Sequence, residues 1–99
     1  MKSKRTKALA ITPKVKKAVY DRDGGRCVLC GSPYGLPEAH YIPRSQGGLG
    51  IEENIVTLCR NCHRELDQTT RRAELLKRVK AHLDIWYPGF SDNDRIYKK

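Results

Sequence analysis

No stretch of this sequence is apolar for long. Apolar residues make up 38% of the 99 positions, and tryptophan, phenylalanine and methionine each occur once. No segment approaches the roughly 20 apolar residues of a membrane span, and residues 1–17 contain no continuous apolar run typical of a secretory signal. We therefore expect a cytoplasmic protein without membrane association. With so little apolar material, a single small domain is expected to need a staple such as a metal ion.

Acidic residues are absent from the beginning of the chain. Residues 1–17 carry seven Lys or Arg and no acid, residues 18–63 are close to neutral, and residues 64–99 are again basic. The net charge of the whole chain is +9. Basic flanks favour a polyanionic partner such as DNA or RNA, through phosphate contacts and counterion release. The alternative is a soluble protein with a basic tail.

Cysteine occurs only in two CxxC pairs, Cys27 with Cys30 and Cys59 with Cys62. A reducing cytoplasm disfavours disulfides, so this spacing favours a metal site. Two CxxC knuckles supply four soft thiolates, which form a closed tetrahedral zinc site with no open position. The sequence therefore predicts a structural zinc ion that holds the intervening loop in place.

The periodicity predicts an α+β domain at residues 12–90, preceded by a mobile basic arm at 1–11 and followed by a tail at 91–99. Thr12 and Pro13 begin a helix that ends near Arg22 and Asp23. The further predicted elements are strands at 38–42 and 54–58, a helix from the second knuckle that carries His63 and Asp67, and a helix at 71–86 capped by Thr69 or Thr70. His82 of that last helix is predicted to be a surface or packing residue.

Three polar residues lie beside the predicted clamp. His40 lies in the predicted strand before the glycine-rich loop 44–50, Asn54 begins the next strand, and His63 directly follows Cys62. A neutral imidazole can take a proton from water near neutral pH. A divalent ion can stabilise the leaving oxygen of a phosphodiester. These residues therefore indicate hydrolysis of nucleic acid.

Over residues 13–68 the sequence resembles the HNH endonucleases. The resemblance is carried by the patterns CxxCG, AHYIPRSxGG and ENIVTLCxxCH. It implies a ββα-metal (His-Me finger) fold with a zinc-ribbon-like clamp and flanking helices. It also implies that His40 is the general base, that Asn54 braces the loop holding it, and that His63 is a ligand of a catalytic Mg²⁺ or Mn²⁺.

One position departs from that pattern. The residue before the general base is commonly Asp, Glu or His in the family and binds the catalytic metal, whereas here it is Ala39. Asp67, one helical turn after His63, is the favoured replacement. Glu38 is the second candidate, although strand alternation places it opposite residue 39. Phosphate and water could also complete the coordination sphere.

The predicted function is therefore metal-dependent cleavage of DNA, with a non-catalytic zinc-ribbon nucleic-acid-binding module as the alternative. A zinc module that binds proteins is a third reading, without specific support. The size resembles small phage and prophage HNH proteins, which implies a bacterial or phage-infected cytoplasm and a homodimer or a phage packaging partner. The predicted phosphate-contacting residues are Arg44, Arg60, Arg64, Lys16 and Lys17.

Overall fold

A computed structural model describes residues 3–68 and 70–98. Within them the chain forms two strands and four helices. These are α1 (Lys4–Leu9), α2 (Pro13–Arg22), β1 (Leu36–His40), β2 (Ile55–Leu58), α3 (Arg60–Gln68) and α4 (Arg72–Trp86), with short 3-10 turns at Arg44–Gln46, Glu52–Asn54 and Asp92–Arg95. The predicted α+β class is confirmed, and the hairpin followed by α3 is the arrangement expected of a ββα-metal fold.

The two strands form an antiparallel hairpin that carries the core. All four residues of β2 are buried, as expected for a short run rich in β-branched side chains. Ala39 pairs with Val56 and His40 with Ile55, and the register shifts between Leu36 and Ala39. That irregularity contains Pro37, which has no N–H to donate to a ladder.

Strand β1 ends two residues earlier than predicted because Asn54 takes over the pairing. The backbone N–H of Tyr41 donates to the Asn54 carbonyl at 2.8 Å. The backbone of Ile42 then bonds to the Asn54 side chain and not to a strand. The glycine-rich loop therefore leaves the sheet at a fixed point.

Helix α2 confirms the capping signal read from the sequence. The Thr12 hydroxyl accepts from the Val15 N–H at 3.2 Å, and Pro13 is the first helical residue. Helical spacing predicts a core-facing stripe of Leu75, Leu76, Val79, Leu83 and Trp86. Helix α4 buries Leu75, Val79 and Leu83 of this stripe, whereas Trp86 is half exposed. It begins at Arg72 with no side-chain cap, so Thr70 does not cap it. Thr69, the other predicted cap, lies outside the described residues.

The two flanks are structured where the sequence predicted an arm and a tail. Within the arm, Ser3 caps α1, and Leu9 is buried. Within the tail, Ile96 pairs with Gly48, and the Arg95 side chain is buried. Residues 1, 2 and 99 of these predicted segments lie outside the described residues. The boundaries of arm, domain and tail stay predictions.

Within the described residues, none of the helices combines the length and the apolar character that crossing a membrane requires.

Candidate functional site

The four cysteines converge on one point between the hairpin and α3. Their sulfur atoms all lie within 4.8 Å of one another. The Sγ atoms of Cys30 and Cys59 are 3.6 Å apart, close to the edge of about 3.8 Å expected for a tetrahedron with Zn–S bonds of about 2.3 Å. Across residues 3–68 and 70–98, this is the one such cluster of three or more His, Cys, Asp or Glu ligands. The cysteines are therefore arranged to bind a metal ion.

In each CxxC turn, a backbone N–H group donates a hydrogen bond to the sulfur of the first cysteine. The N–H of Cys30 donates to Cys27 Sγ at 3.5 Å, and the N–H of Cys62 donates to Cys59 Sγ at 3.4 Å. Gly31 follows the first turn with φ +80°, a conformation that side chains disfavour. Burial, and then the neighbouring cysteines, raise the pKa of Cys62. A bound cation would counteract this rise in pKa by stabilising the thiolate forms.

His40 and His63 face the same open cavity from two different elements. His40 is the last residue of β1, and His63 lies in the first turn of α3, where its N–H donates to the Cys59 carbonyl at 2.9 Å. Both line a cavity of about 460 Å³ and a neighbouring one of about 280 Å³. Partial burial lowers the pKa of His40. The hydrogen bond to the Leu9 carbonyl opposes this effect, Arg44 and His63 add to it, and the net shift favours the neutral form.

Asn54 lies beneath this cavity and not in it. It is fully buried, and its side chain makes two hydrogen bonds to the backbone just before the glycine-rich loop and one to the backbone near the end of that loop. The Oδ1 atom accepts from the Ile42 N–H, and Nδ2 donates to the carbonyls of Ile42 and Leu49. This geometry joins the two ends of the loop that follows His40.

Ala39 faces the core and not the cavity. It is fully buried and packs with Val56 and Leu58. Glu38 lies on the other face of the strand and lines both cavities together with His40. Strand alternation thus places residues 38 and 40 on the cavity face, and Ala39 lines neither cavity.

The acidic residues of the cavity are paired with cations or imidazole. Glu38 Oε1 lies 3.4 Å from Lys16 Nζ. Asp67 Oδ2 lies 3.4 Å from His63 Nε2, as expected for residues one helical turn apart. Asp67 also lines the smaller cavity. Glu38, His63 and Asp67 thus share one cavity without forming a closed ligand cluster.

Residues 27–69 match the family model described as HNH endonuclease. This segment belongs to the HNH endonuclease family. The match contains the four cysteines together with His40, Asn54 and His63, so the resemblance noted in the sequence is confirmed.

A curated relative extends the similarity beyond the HNH segment. The chain is 34% identical over 82 residues to the type IV methyl-directed restriction enzyme EcoKMcrA of Escherichia coli strain K12. The similarity covers 73% of this chain and 29% of that enzyme. The chain therefore corresponds to less than a third of its relative.

The predicted phosphate-contacting residues divide into two groups around the HNH segment. Lys16 and Arg44 line the cavity that holds the two histidines. Lys17 is exposed on α2 and pairs with Asp21 at 2.7 Å. Arg60 and Arg64 are exposed on α3 and do not line either cavity. Only the first two are thus positioned beside His40.

Sequence reasoning missed the N-terminal contribution to the HNH cavity. Ala10 and Ile11 form part of its wall, and the Leu9 carbonyl lies 3.1 Å from His40 Nε2. The one leucine of the arm, Leu9, was the available signal in the sequence that this segment packs on the domain. The residue types do not indicate which backbone atom would contact His40, because Leu9 lies 31 residues before it in the chain.

Proposed function

We propose that the chain is a metal-dependent endonuclease that hydrolyses phosphodiester bonds of DNA. The observation that carries the proposal is the shared cavity of His40 and His63, which also contains the cations Lys16 and Arg44. A phosphate entering this cavity would meet two basic side chains and a neutral imidazole. Membership of the HNH segment in an endonuclease family supports the same chemistry.

His40 acts as the general base in this proposal. Its unprotonated ring nitrogen takes a proton from water as the water oxygen forms a bond to phosphorus. The bond from phosphorus to the leaving sugar oxygen breaks in the same displacement. Lys16 and Arg44 bind the non-bridging phosphate oxygens, and Asn54 holds the loop that follows the base. Arg60, Arg64 and Lys17 would contact the backbone farther along the duplex.

Two metal ions are implied, and the donor groups suit both. The four cysteine sulfurs suit a structural zinc ion. His63, Asp67 and Glu38 would hold Mg²⁺ or Mn²⁺, since all three side chains line the smaller cavity and offer one imidazole and two carboxylates. That ion, when bound, stabilises the leaving oxygen and the added negative charge of the transition state. We expect the protein to act in the cytoplasm, where its thiols stay reduced.

The proposal takes DNA cleavage, and not methyl recognition, from the relative. That enzyme is named as methyl-directed, but this chain matches 29% of it. No array of base-reading side chains is evident in the sequence, and phosphate contacts carry no sequence information. Action as a homodimer or beside a phage packaging machine stays a prediction.

Nicking of supercoiled plasmid tests the proposal. Zinc-loaded protein should convert the plasmid to open circles when Mg²⁺ or Mn²⁺ is added. His40→Ala should abolish nicking while zinc content and thermal melting stay unchanged. Asn93→Ala, an exposed position in the C-terminal 3-10 turn, should retain activity. Pure wild-type protein that never nicks with any divalent ion would overturn the proposal.

One observation favours a second candidate, a zinc module that binds nucleic acid without cutting it. Glu38, His63 and Asp67 do not form a compact ligand cluster within the described residues. For that candidate, His40→Ala would leave DNA affinity unchanged and wild type would not nick. Measuring binding and nicking on the same preparations therefore separates the two functions.

A further inference from the structure

The proton of the neutral His40 ring is assigned by its hydrogen-bond partner. Nε2 lies 3.1 Å from the Leu9 carbonyl oxygen. A carbonyl oxygen can only accept, so Nε2 must carry the proton and Nδ1 must carry the lone pair. This is the one hydrogen bond that the structure shows for the ring among the residues it describes. The contact therefore selects one of the two tautomers.

The Leu9 carbonyl is held in place by packing on both sides. The Leu9 side chain is buried, with 2% of its surface exposed. The Gly50 N–H donates to the Ala8 carbonyl at 3.0 Å, so the arm is tied to the glycine-rich loop. A Cβ at Gly50 would lie 2.2 Å from the Ala10 oxygen and 3.0 Å from the Leu9 oxygen. Gly50 is thus the position at which the loop lets the arm approach His40.

We propose that the N-terminal arm, residues 3–11, is a positioning element for His40 that fixes its Nε2–H tautomer through the Leu9 carbonyl. The arm lies outside the segment that matches the HNH family, residues 27–69. The proposal rests on the proposed function in one respect, that His40 is the base. It makes Nδ1 the nitrogen that faces water, and it gives the arm a role beyond electrostatic attraction to DNA.

The first test reads the tautomer directly in the full-length, zinc-loaded protein. Two-dimensional ¹⁵N–¹H NMR of the imidazole groups, recorded without DNA well above the ordinary histidine pKa of about 6.5, distinguishes protonated from unprotonated ring nitrogens. His40→Gln identifies the His40 signals. Wild type should show His40 protonated at Nε2. A His40 ring protonated at Nδ1, or an equal mixture of tautomers, would overturn the proposal.

Two variants then displace the arm without touching His40. Gly50→Ala places a methyl group against the carbonyl groups of Ala10 and Leu9, and Leu9→Ala removes the side chain that anchors the arm. Leu75→Ala is the matched control for the second, because Leu75 is equally buried but lies in α4, away from the cavity. The arm variants should lose the single tautomer, whereas Leu75→Ala should keep it.

Kinetics add a second readout. The arm variants should lower kcat for nicking by up to about 100-fold, the lower end of the roughly 10²- to 10⁴-fold contribution of general acid–base catalysis, with a smaller change in KM. A folded Leu9→Ala protein with wild-type tautomer and wild-type kcat would contradict the proposal. If wild type does not nick at all, the proposed function fails, but the NMR comparison still decides whether the arm sets the tautomer.

Discussion

The Asn54 side chain satisfies both backbone groups of Ile42. Its Oδ1 atom accepts from the Ile42 N–H at 2.9 Å, and its Nδ2 atom donates to the Ile42 carbonyl at 3.2 Å. The side chain thus acts as an additional strand residue where β1 ends. A third bond, to the Leu49 carbonyl at 2.9 Å, closes the loop. A side-chain amide supplies all three bonds, because its oxygen accepts and its nitrogen carries two hydrogens to donate.

Asn54→Ala should destabilise the zinc-loaded protein by roughly 2–4 kcal/mol, since it leaves buried backbone groups of Ile42 unpaired. It should also lower nicking activity, because the loop after His40 loses its brace. Urea unfolding and plasmid nicking measure the two effects. Asn93→Ala makes the same change at an exposed site and serves as the control. Equal stability of the two variants would contradict this account of Asn54.

Ala39→Asp tests whether position 39 faces the core. A carboxylate there would be buried against Val56 and Leu58, so we expect a loss of roughly 3 kcal/mol or more and no gain in nicking. Ala73→Asp is the matched control, since Ala73 is exposed in the first turn of α4. A stable Ala39→Asp protein with tighter Mn²⁺ binding would show that residue 39 can reach the metal site.

The sequence predicted best where residue type alone restricts geometry. Two CxxC pairs can converge on one ion, and the structure brings their sulfurs together. Thr12 before Pro13 began α2 as expected. The stripe of α4 was readable because helical spacing repeats every three to four residues. These features depend on local spacing, which a sequence records.

Contacts between distant segments were not readable. Arg95 is fully buried, donating to the Glu53 carbonyl at 2.6 Å and packing between the rings of Tyr41 and Phe90. The sequence analysis placed it in the predicted tail at residues 91–99, with no indication that its side chain would be buried. His82 was expected to be a surface or packing residue, and its Nε2 lies 2.8 Å from Asp23. The position of a charged side chain in the sequence does not indicate which distant residue it will contact.

Removal of zinc should unfold the protein. The described core is small, and the clamp joins the first knuckle to α3. Structural zinc can contribute as much free energy as folding itself. A chelator strong enough to strip the ion should therefore abolish the cooperative thermal transition, and Cys59→Ser should do the same. Zinc content, measured in parallel, should be one ion per chain. An unchanged melt after complete zinc removal would contradict the role of the clamp.

Asp23 links three elements at the base of the hairpin. Its carboxylate is paired with Arg22 at 2.8 Å and with His82 of α4, and it accepts from the Thr57 N–H of β2 at 2.9 Å. Burial alone would raise the pKa of Asp23. Hydrogen bonds from His82 and Arg22 outweigh that effect and hold the pKa well below its ordinary value of 3.8. The stabilisation is therefore fully present above that value and is lost as the pH falls toward the lower pKa of the folded state.

Asp23→Asn should accordingly be measured at neutral pH, where the whole contribution is present. It leaves the guanidinium of Arg22, whose side chain is 6% exposed, without its charged partner, so we expect a loss of about 3–5 kcal/mol in the free energy of unfolding. Asp21→Asn removes an exposed pair with Lys17 and should change stability far less. Denaturant unfolding of both zinc-loaded variants makes the comparison. A loss no greater for Asp23→Asn than for Asp21→Asn would show that the buried pair does not hold α2 and α4 to the hairpin.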